Sequence, residues 1–394
     1  MISWIAIITT YVVVLNVCYA ALQVWLLRRC SPAPRLLVFA IWAWAVLMSV
    51  LLVLQGFQPP AWKSFSRDWL YLPFAVEMVW NIFLPLLIFP ATFLLVLVLR
   101  LRHPARSPAP EPVAPPSGLS RRKFIYLVTC GTAPVTALGM GVHGALTRDA
   151  LRVQPYTVPI PGLPPELEGF TIAHVSDLHS GIFVGPERLK IVSDAANDLK
   201  ADLVAVTGDL INREMDEFPA ALAAIQNMES RYGTYLCEGN HDVFPGPGVV
   251  AEACASNNLP MLSFACVTLP MRRRRLLLAG LPWMGHEFPA KPEMVSNLFP
   301  ARQEGDVRIL LAHHPHLFDI AGSADLVLSG HTHGGQIMFG DIGLGRLRFK
   351  YCSGLFQRDN TSLLVSNGCG DWFPCRIGAP AEIGLVRLTA AKTA

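Results

Sequence analysis

The first 103 residues constrain the chain most, because they are almost free of charge: only nine of them are Asp, Glu, Lys or Arg. Two apolar stretches, Ser3 to Leu27 and Leu36 to Gln55, are each long enough to cross a hydrocarbon core, which takes about 20 helical residues. A third stretch begins near Val76 and ends at Leu99, and a weaker fourth covers Phe124 to Ala145. The sequence therefore predicts a three-span membrane domain over residues 1–103 and a fourth transmembrane or signal-like segment over 124–146.

The loops between these spans predict an orientation, because Lys and Arg near span ends stay in the cytoplasm. Basic residues dominate the loops after spans one and three, which carry Arg28, Arg29, Arg35, Arg100, Arg102, Arg106, Arg121, Arg122 and Lys123. The intervening loop has only Lys63 and Arg67, with Asp68 opposing them. Four spans would therefore put everything after Ala145 outside the cytoplasm, whereas one span fewer would reverse this.

Residues 104–123 form a proline-rich segment without apolar periodicity, which is typical of an extended linker. The segment ends in "SRRK", and with Phe124 it resembles a twin-arginine export signal ahead of an apolar run. The same residues also fit a simple positively charged anchor on the cytoplasmic side. Both interpretations place Arg121 and Arg122 in the cytoplasm.

Residues 150–394 have the pattern of a layered α/β domain, in which strand-like apolar runs alternate with helical segments such as "PERLKIVSDAANDL" and "FPAALAAIQNM". The apolar excess of the chain, 52% hydrophobic against 15% charged, belongs to the part before this domain. A net charge of +3 gives no reason to expect a nucleic-acid partner.

Five apolar runs of this domain end in residues drawn only from Asp, Asn and His. The runs are "FTIAHVSDLH", "ADLVAVTGD", "GTYLCEGNHD", "RILLAHHPH" and "ADLVLSGHTH". One histidine after an apolar run is most simply a hydrogen-bonded core residue. Five such endings in one domain are not explained as separate core residues. The carboxyl ends of strands in an α/β sheet converge on one crevice, so these side chains can meet there. The pattern predicts a metal centre there.

Mixed Asp, Asn and His ligation suits two divalent ions about 3.5 to 4 Å apart, with one carboxylate bridging them. Asp209 is the natural bridge, and Gly208, Gly239 and Gly330 would let the backbone turn sharply beside the ligands. A hydroxide held between the ions would attack phosphorus in line, while the ions stabilise the phosphoryl oxygens.

The ordered set "DLH", "GDL", "GNHD", "HHP" and "GHTH" resembles the calcineurin-like metallophosphoesterases over about residues 154–388. The stretches "PPELEGFTIAHVSDLHSG", "SGHTHGGQI" and "RIGAPAEIGLVRL" are similar to the membrane-attached bacterial phosphodiesterases of that superfamily. The resemblance implies a four-layer αββα sandwich and an enzyme that hydrolyses phosphate esters with two divalent metal ions. Mixed Asp, Asn and His ligation does not select strongly among divalent metals; we expect manganese or iron, with zinc or magnesium as alternatives.

Carried over to this chain, the family pattern assigns two sets of ligands that share Asp209. One metal would be held by Asp177, His179, Asp209 and His333, and the other by Asp209, Asn240, His313 and His331. His241 would be the catalytic residue that is not a ligand, stabilising the transition state or protonating the leaving oxygen. The roles of His314 and His316 stay open. Asn212 stands where purple acid phosphatases have a tyrosine ligand, which excludes that branch.

The predicted partner is the lipid bilayer, and the predicted substrate is a phosphate ester, possibly of a membrane lipid. Only about nine residues separate Ala145 from the first strand near Gln154, a reach of at most roughly 30 Å. The corresponding location is the bacterial inner membrane with an extracytoplasmic catalytic domain. Two alternatives remain: a cytoplasm-facing UDP-diacylglucosamine pyrophosphate hydrolase, and a non-catalytic binding module on the same fold. The oligomeric state is left open.

Three further features allow more than one interpretation. A pair among Cys352, Cys369 and Cys375 could form a disulfide or remain as buried thiols. The run Arg272 to Arg275 most simply forms a solvated hairpin turn, with contact to lipid phosphates as the alternative. Four aromatic residues could grip acyl chains or merely pack; they are Trp283, Phe288, Trp372 and Phe373.

Overall fold

The computed structural model describes Val79 and residues 133–148, 150–269, 271, 274–285, 291–340, 342–373 and 375–391. The chain divides into two compact units, Met1–Ala145 and Leu146–Ala394. Apart from Val79, the first three predicted spans, the linker and the twin-arginine-like segment lie outside these residues. Helix α1, Ala133–Leu146, lies within the predicted fourth segment and ends at the first residue of the second unit. Among the described residues, no helix has the length and hydrophobicity that crossing a membrane requires.

The second unit contains two mixed sheets, which confirms the prediction of an α/β domain. Sheet 1 has five strands: β1 (Arg152–Ile160), β2 (Thr171–Val175), β3 (Leu203–Thr207), β4 (Thr234–Cys237) and β13 (Glu382–Ala390). Their spatial order is β1, β13, β2, β3, β4. Strands β2, β3 and β4 are mutually parallel, while β13 runs antiparallel to β2 and parallel to β1.

Sheet 2 has six strands: β5 (Ala265–Leu269), β6 (Leu276–Gly280), β7 (Val307–Leu311), β8 (Leu326–Ser329), β11 (Gly354–Arg358) and β12 (Thr361–Val365). Their order is β11, β12, β8, β7, β6, β5, with the four inner strands parallel and both edges antiparallel. Strands β5 and β6 flank the arginine run and pair antiparallel, as a hairpin requires, while Arg272 and Arg273 of that run lie outside the described residues. A separate two-stranded hairpin joins β9 (Met338–Phe339) to β10 (Ile342–Gly343).

The two sheets share one apolar core, because alternate residues of each strand point to opposite faces. Leu276 and Leu278 of β6 lie in a cluster with Ile172 and Leu203 of sheet 1. Leu277, from the same strand, belongs instead to a second cluster with buried residues outside the sheets. The sheets therefore pack face to face, and further elements cover the outer face of sheet 2.

Helices connect the parallel strands and complete the outer layers. Helices α2 (Pro186–Asp198) and α3 (Phe218–Gln226) link β2 to β3 and β3 to β4, and they contact each other. Both correspond to segments with a predicted helical pattern, and Pro occupies one of the first two positions of each, where its missing N–H costs nothing. Two shorter helices, α4 (Val249–Ser256) and α5 (Pro292–Ser296), occupy later connections. The outcome is a layered sandwich in which parallel strand ends from both sheets meet at one edge.

Candidate metal centre

The predicted site residues follow the carboxyl ends of five strands, two from sheet 2 and three from sheet 1. Asp177 and His179 follow β2, Asp209 follows β3, and Asn240 and His241 follow β4. From the other sheet, His313 follows β7, and His331 and His333 follow β8. All five apolar runs form the strands that the sequence predicts, and their ends bring the eight side chains to the same edge of the sandwich.

The first group of potential ligands contains Asp177, His179 and His333, all buried. Nε2 of His333 lies 3.0 Å from Nε2 of His179 and 3.2 Å from Oδ1 of Asp177. The separation between His179 Nε2 and the same Asp177 oxygen is 3.9 Å. Three donor atoms thus converge from two different sheets.

The second group contains Asp209, His313 and His331, with Asn240 beside them. Nε2 of His313 lies 3.2 Å from Oδ2 of Asp209 and 3.1 Å from Oδ1 of Asn240. The same Asn240 oxygen is 2.6 Å from Nδ1 of His331. This group supplies one carboxylate, one amide oxygen and two imidazoles.

Asp209 belongs to the second group and also lies beside His179 of the first group. Its Oδ2 atom is 3.2 Å from Nε2 of His313 and 3.5 Å from Nε2 of His179. It also forms a third possible ligand group with His179 and His241. One carboxylate therefore lies between the two histidine sets, as a bridging ligand requires.

The donor set fits divalent cations. Ligands about 2.1 Å from one ion and at right angles to each other are roughly 3 Å apart, which matches the spacing in both groups. Carboxylate, amide and imidazole donors suit manganese, iron, zinc and magnesium without selecting strongly among them. The geometry therefore accommodates metal at this edge of the sandwich, and the sharing of Asp209 is compatible with two ions.

The electrostatics of the site also favour cations. Burial alone would raise the pKa of Asp177 and Asp209, but the histidines around them outweigh it and hold both carboxyls below their ordinary range. Burial lowers the pKa of His331 to about 3, and the pKa of His179 is lowered well below its ordinary value chiefly by burial. The site thus combines two anionic carboxylates with neutral imidazoles at His179 and His331, the protonation states that bind metal.

His313 behaves differently from the other two histidines. Burial lowers its pKa, but the adjacent Asp209 carboxylate outweighs burial and raises it to about 10. Its Nδ1 lies 2.7 Å from the carbonyl of Thr207, so Nδ1 is the donor and Nε2 faces Asp209. A proton on Nε2 of His313 therefore balances the buried negative charge of Asp209. A metal ion bound by the same two residues would balance that charge in place of the proton.

His241 lies at the rim of the centre and is half-buried. Its Nδ1 is 2.5 Å from the carbonyl oxygen of Asn212, and its ring packs edge-on against His179 at 4.5 Å between centroids. Phe244 contacts its ring at 4.7 Å. Because the carbonyl can only accept, Nδ1 carries the hydrogen, which leaves Nε2 available to exchange a proton.

Five of the predicted ligands adopt left-handed backbone conformations, which side chains other than glycine rarely do. Their φ values are 54° for Asp177, 45° for His179, 54° for Asp209, 69° for His331 and 51° for His333. Such strain costs about 1 kcal/mol or more per residue and collects at functional sites. No sequence pattern indicates it, since each residue would be ordinary elsewhere.

The predicted role of the three glycines needs correction. Only Gly208 has the left-handed conformation that favours glycine, with φ +80°. At Gly330 and Gly239 the constraint is space: a Cβ would collide with Oγ of Ser176 at Gly330, and with the Asp209 carboxylate at Gly239. The absence of a side chain lets the ligand loops approach one another, which is a property of tertiary packing.

Asp242 is a site residue whose role sequence reasoning missed, although the strand-end pattern contains it. Its fully buried carboxylate accepts hydrogen bonds from the backbone N–H groups of Asp209 (2.9 Å), Leu210 (2.8 Å) and Gly239 (2.8 Å). Burial, followed by the nearby Asp209 charge, raises its pKa to about 7. Asp242 therefore ties the loop of the shared carboxylate to the loop that carries Asn240.

A buried charge network behind His333 was also missed. Arg376 is the largest fully buried side chain of the described chain, and its Nη2 lies 3.4 Å from Nδ1 of His333. Its Nε donates to Asp371 at 2.5 Å, and Asp371 also forms an ion pair with Arg188. Arg376 further donates to carbonyl groups of Asn367, Gly368, Gly370 and Ala379. The network fixes the wall against which His333 packs.

His314 and His316, whose roles the sequence left open, lie beside the second ligand group. Their Nδ1 atoms are 2.5 Å apart, and the His314 ring is 4.4 Å from that of His331. Trp283 is half-buried, with its ring 5.6 Å from His331. A cleft opens beside His313 and is lined by Pro282, Trp283, Met284, Gly285, His314, His316 and Leu317. Trp283 thus forms a wall of the centre.

The remaining aromatic, arginine and cysteine residues singled out in the sequence differ in their exposure and contacts. Phe373 is 5% exposed, which favours the packing interpretation, whereas Trp372 beside it is 47% exposed. Phe288 lies outside the described residues. Arg275 forms an ion pair with Asp306, so its charge is already paired within the protein. The six described cysteines are free thiols, including Cys352, Cys369 and Cys375.

Comparison with known proteins gives one family match. The model of the family described as "Calcineurin-like phosphoesterase" matches residues 170–335. This range contains all eight predicted site residues and both sheets' ligand-bearing strand ends. Sheet 1's last strand, β13, lies beyond the match.

Curated relatives of the chain are named as metallophosphoesterases or as containing a metallophosphoesterase domain. An "Uncharacterized metallophosphoesterase" of Helicobacter pylori is 30% identical over 54% of this chain and 58% of its own. A "Transmembrane protein with metallophosphoesterase domain" of Danio rerio is 31% identical over 72% of this chain and 66% of its own. The chain therefore spans less than two thirds of the length of these relatives. Because 72% of 394 residues exceeds the stretch from Leu146 to Ala394, the second alignment extends before Leu146.

A solved structure entitled "Structural and Functional Characterization of a Novel Archaeal Phosphodiesterase" is also similar. It is 14% identical, with a TM-score of 0.29 over 50% of this chain and 84% of its own.

Proposed function

We propose that the domain containing residues 170–335, which match the model of the calcineurin-like phosphoesterase family, is a metal-dependent hydrolase of phosphate esters. The observation that carries the proposal is the position of Asp209, whose Oδ2 lies within 3.5 Å of histidines from both ligand groups. A binding module on the same fold would tolerate loss of ligands. Here every residue of both predicted sets is retained, which supports catalysis over mere binding.

The predicted ligands would act by binding two divalent ions in fixed positions. Asp177, His179 and His333 would bind one divalent ion, Asn240, His313 and His331 the other, and Asp209 both. Bound ions would supply a water molecule of lowered pKa and positive charge for the phosphoryl oxygens. Manganese or iron is our preferred identity, with zinc or magnesium as alternatives.

His241 would serve the leaving group. The hydrogen bond from its Nδ1 to the Asn212 carbonyl fixes the ring and directs the opposite nitrogen away from that loop. A protonated Nε2 could then donate to the leaving oxygen or stabilise charge on the phosphoryl group. Its half-buried position at the rim suits contact with a substrate that enters from solvent.

We further propose that the enzyme is membrane-anchored and acts on a phosphate ester of a membrane lipid. The long uncharged stretches before residue 104 support the anchor, and so does the similarity, extending before Leu146, to a relative named as a transmembrane protein. A short connection to β1 would hold the site near headgroups, at a higher effective concentration than a soluble enzyme meets. The charge of the loops favours the bacterial inner membrane with an extracytoplasmic domain.

The activity test uses the purified full chain, stripped by a chelator and reloaded with manganese. We expect hydrolysis of an aryl phosphodiester or monoester only after reloading, with Asp209→Asn inactive in both states. Equal rates in the stripped and reloaded enzyme would refute metal dependence.

The lipid proposal needs its own comparison. We expect a higher kcat/KM on a lipid phosphate ester in mixed micelles than on its water-soluble headgroup analogue. Equal turnover of the two substrates would reject the lipid while leaving the hydrolase proposal intact.

A further inference from the structure

An exposed apolar surface follows directly after the predicted ligand His333. Phe339 of β9 and Ile342 of β10 are paired across the hairpin and are 52% and 65% exposed. Leu347, at the end of the short 3-10 helix Leu344–Leu347, is 81% exposed. We call Phe339, Ile342 and Leu347 the apolar patch. Single exposed apolar residues are common, but three large ones within nine residues of chain form a candidate contact surface.

The patch is joined closely to the metal centre. The chain that carries it passes so near the residues after His333 that a Cβ at Gly343 would collide with the carbonyl of Gly334. Phe349, which follows the patch, packs edge-on against the ring of His331 at 5.3 Å. A surface that engaged the patch would therefore lie beside the opening of the metal centre.

Positive charge borders the patch. Arg346 and Arg348 flank Leu347 and are exposed, and Lys350 is also exposed, with an ion pair to Asp319. In the sequence from Met338 to Lys350 the one acidic residue is Asp341. Exposed apolar side chains in a segment that also carries exposed arginines match the two layers of a membrane surface, acyl chains beneath anionic headgroups.

We propose that the apolar patch, together with Arg346 and Arg348, docks on an anionic lipid bilayer. Three side chains, two on the hairpin and one on the short helix after it, present far less surface than the roughly 800 Å² per partner that a stable protein interface buries, which disfavours a second copy of the chain as the occupant. Docking would hold the metal centre over the headgroups. The inference rests on the proposed function for its purpose, but lipid contact is measurable without catalysis.

The test places a photo-crosslinking residue in the full chain. Leu347 is replaced by benzoylphenylalanine, and the protein is reconstituted in nanodiscs of phosphatidylcholine and phosphatidylglycerol that contain an alkyne-tagged lipid. The control position is Glu229, which is exposed just before β4 at the edge of sheet 1 opposite the metal centre. We expect several-fold more lipid adduct at position 347 than at 229, and less when phosphatidylglycerol is omitted. Equal yields at the two positions, a yield independent of anionic lipid, or crosslinks to protein instead would overturn the proposal.

Two variants separate this proposal from the proposed function. With the crosslinker at 347, Asp209→Asn should retain the lipid adduct while losing hydrolysis. Without the crosslinker, Ile342→Asp with Leu347→Asp should lower turnover of a lipid ester several-fold and leave turnover of a soluble aryl ester unchanged. A lipid adduct from an inactive wild-type chain would preserve the docking surface and reject the hydrolase. Full activity of the double variant on lipid esters would reject the docking surface and preserve the hydrolase proposal.

Discussion

The carboxylate of Asp242 accepts a hydrogen bond of 2.9 Å from the backbone N–H of Asp209, 33 residues earlier in the chain. It also accepts from Leu210 and Gly239, so one buried side chain orders two ligand loops. Replacing Asp242 by Asn keeps the size but turns an NH₂ group toward backbone donors. We expect a loss of about 1–3 kcal/mol in stability and weaker metal binding. Thermal unfolding and metal analysis of the full chain measure both, and an unchanged variant would show that Asp242 does not order the site.

Gly208→Ala tests whether metal binding depends on the close approach of the Gly208 and Gly239 loops, separately from the effect of backbone strain on stability. A Cβ at Gly208 would lie 2.6 Å from the Gly239 nitrogen and 2.8 Å from Nδ1 of His313. Gly162 is the matched control, because it too is left-handed, with φ +68°, but has open space around it. Both variants should lose about 1 kcal/mol through strain, and only Gly208→Ala should also lose metal. Equal metal content in the two variants would contradict this.

Arg376→Lys tests the network behind His333. Lysine keeps the positive charge next to Asp371 but cannot reproduce the guanidinium contacts to His333 and four carbonyl groups. Mutation of a group that orients a metal-binding histidine typically lowers the metal affinity by about 10–100-fold. We expect a loss of this size in the affinity for manganese, measured by equilibrium dialysis of the chelated chain. Wild-type affinity in a folded variant would mean that the network only stabilises the domain.

His241→Ala should lower kcat by about 10²–10⁴-fold if the imidazole protonates the leaving oxygen. The loss should be larger for an alkyl ester than for a nitrophenyl ester, because a good leaving group needs no proton. Metal content should remain at the wild-type value, since His241 is not a predicted ligand. Loss of metal together with activity would reassign His241 as a ligand.

The predicted ligands were accessible from sequence because each follows an apolar strand, and parallel strand ends must meet. Strand-end convergence alone predicts that His313 and His331 lie in one centre with Asp209, whereas the division into two ligand sets follows from the family resemblance. Strand and helix positions followed from the same alternation and periodicity. Residues whose role depends on tertiary approach were not accessible: Asp242 and Arg376 act through backbone groups that the sequence does not bring together.

The surface predictions fared less well, for a related reason. Trp372 and Phe373 are adjacent and both aromatic, yet one is exposed and the other buried, because their environment is set by distant segments such as the loop of Gln336. The apolar patch was equally hidden, since Ile342 and Leu347 are ordinary core residue types. The predicted membrane spans over the first 103 residues stay predictions, as they lie, apart from Val79, outside the described part of the chain.

The most direct test of the two-ion account is the number of metal ions that the active full chain binds. We predict two manganese ions per chain in fully reloaded wild type, with hydrolysis rising only as the second ion binds. His333→Ala and His313→Ala should each retain about one ion, because each variant loses a ligand of a different group. Asp209→Asn should weaken both. A wild-type chain that is fully active with one bound ion would contradict the account.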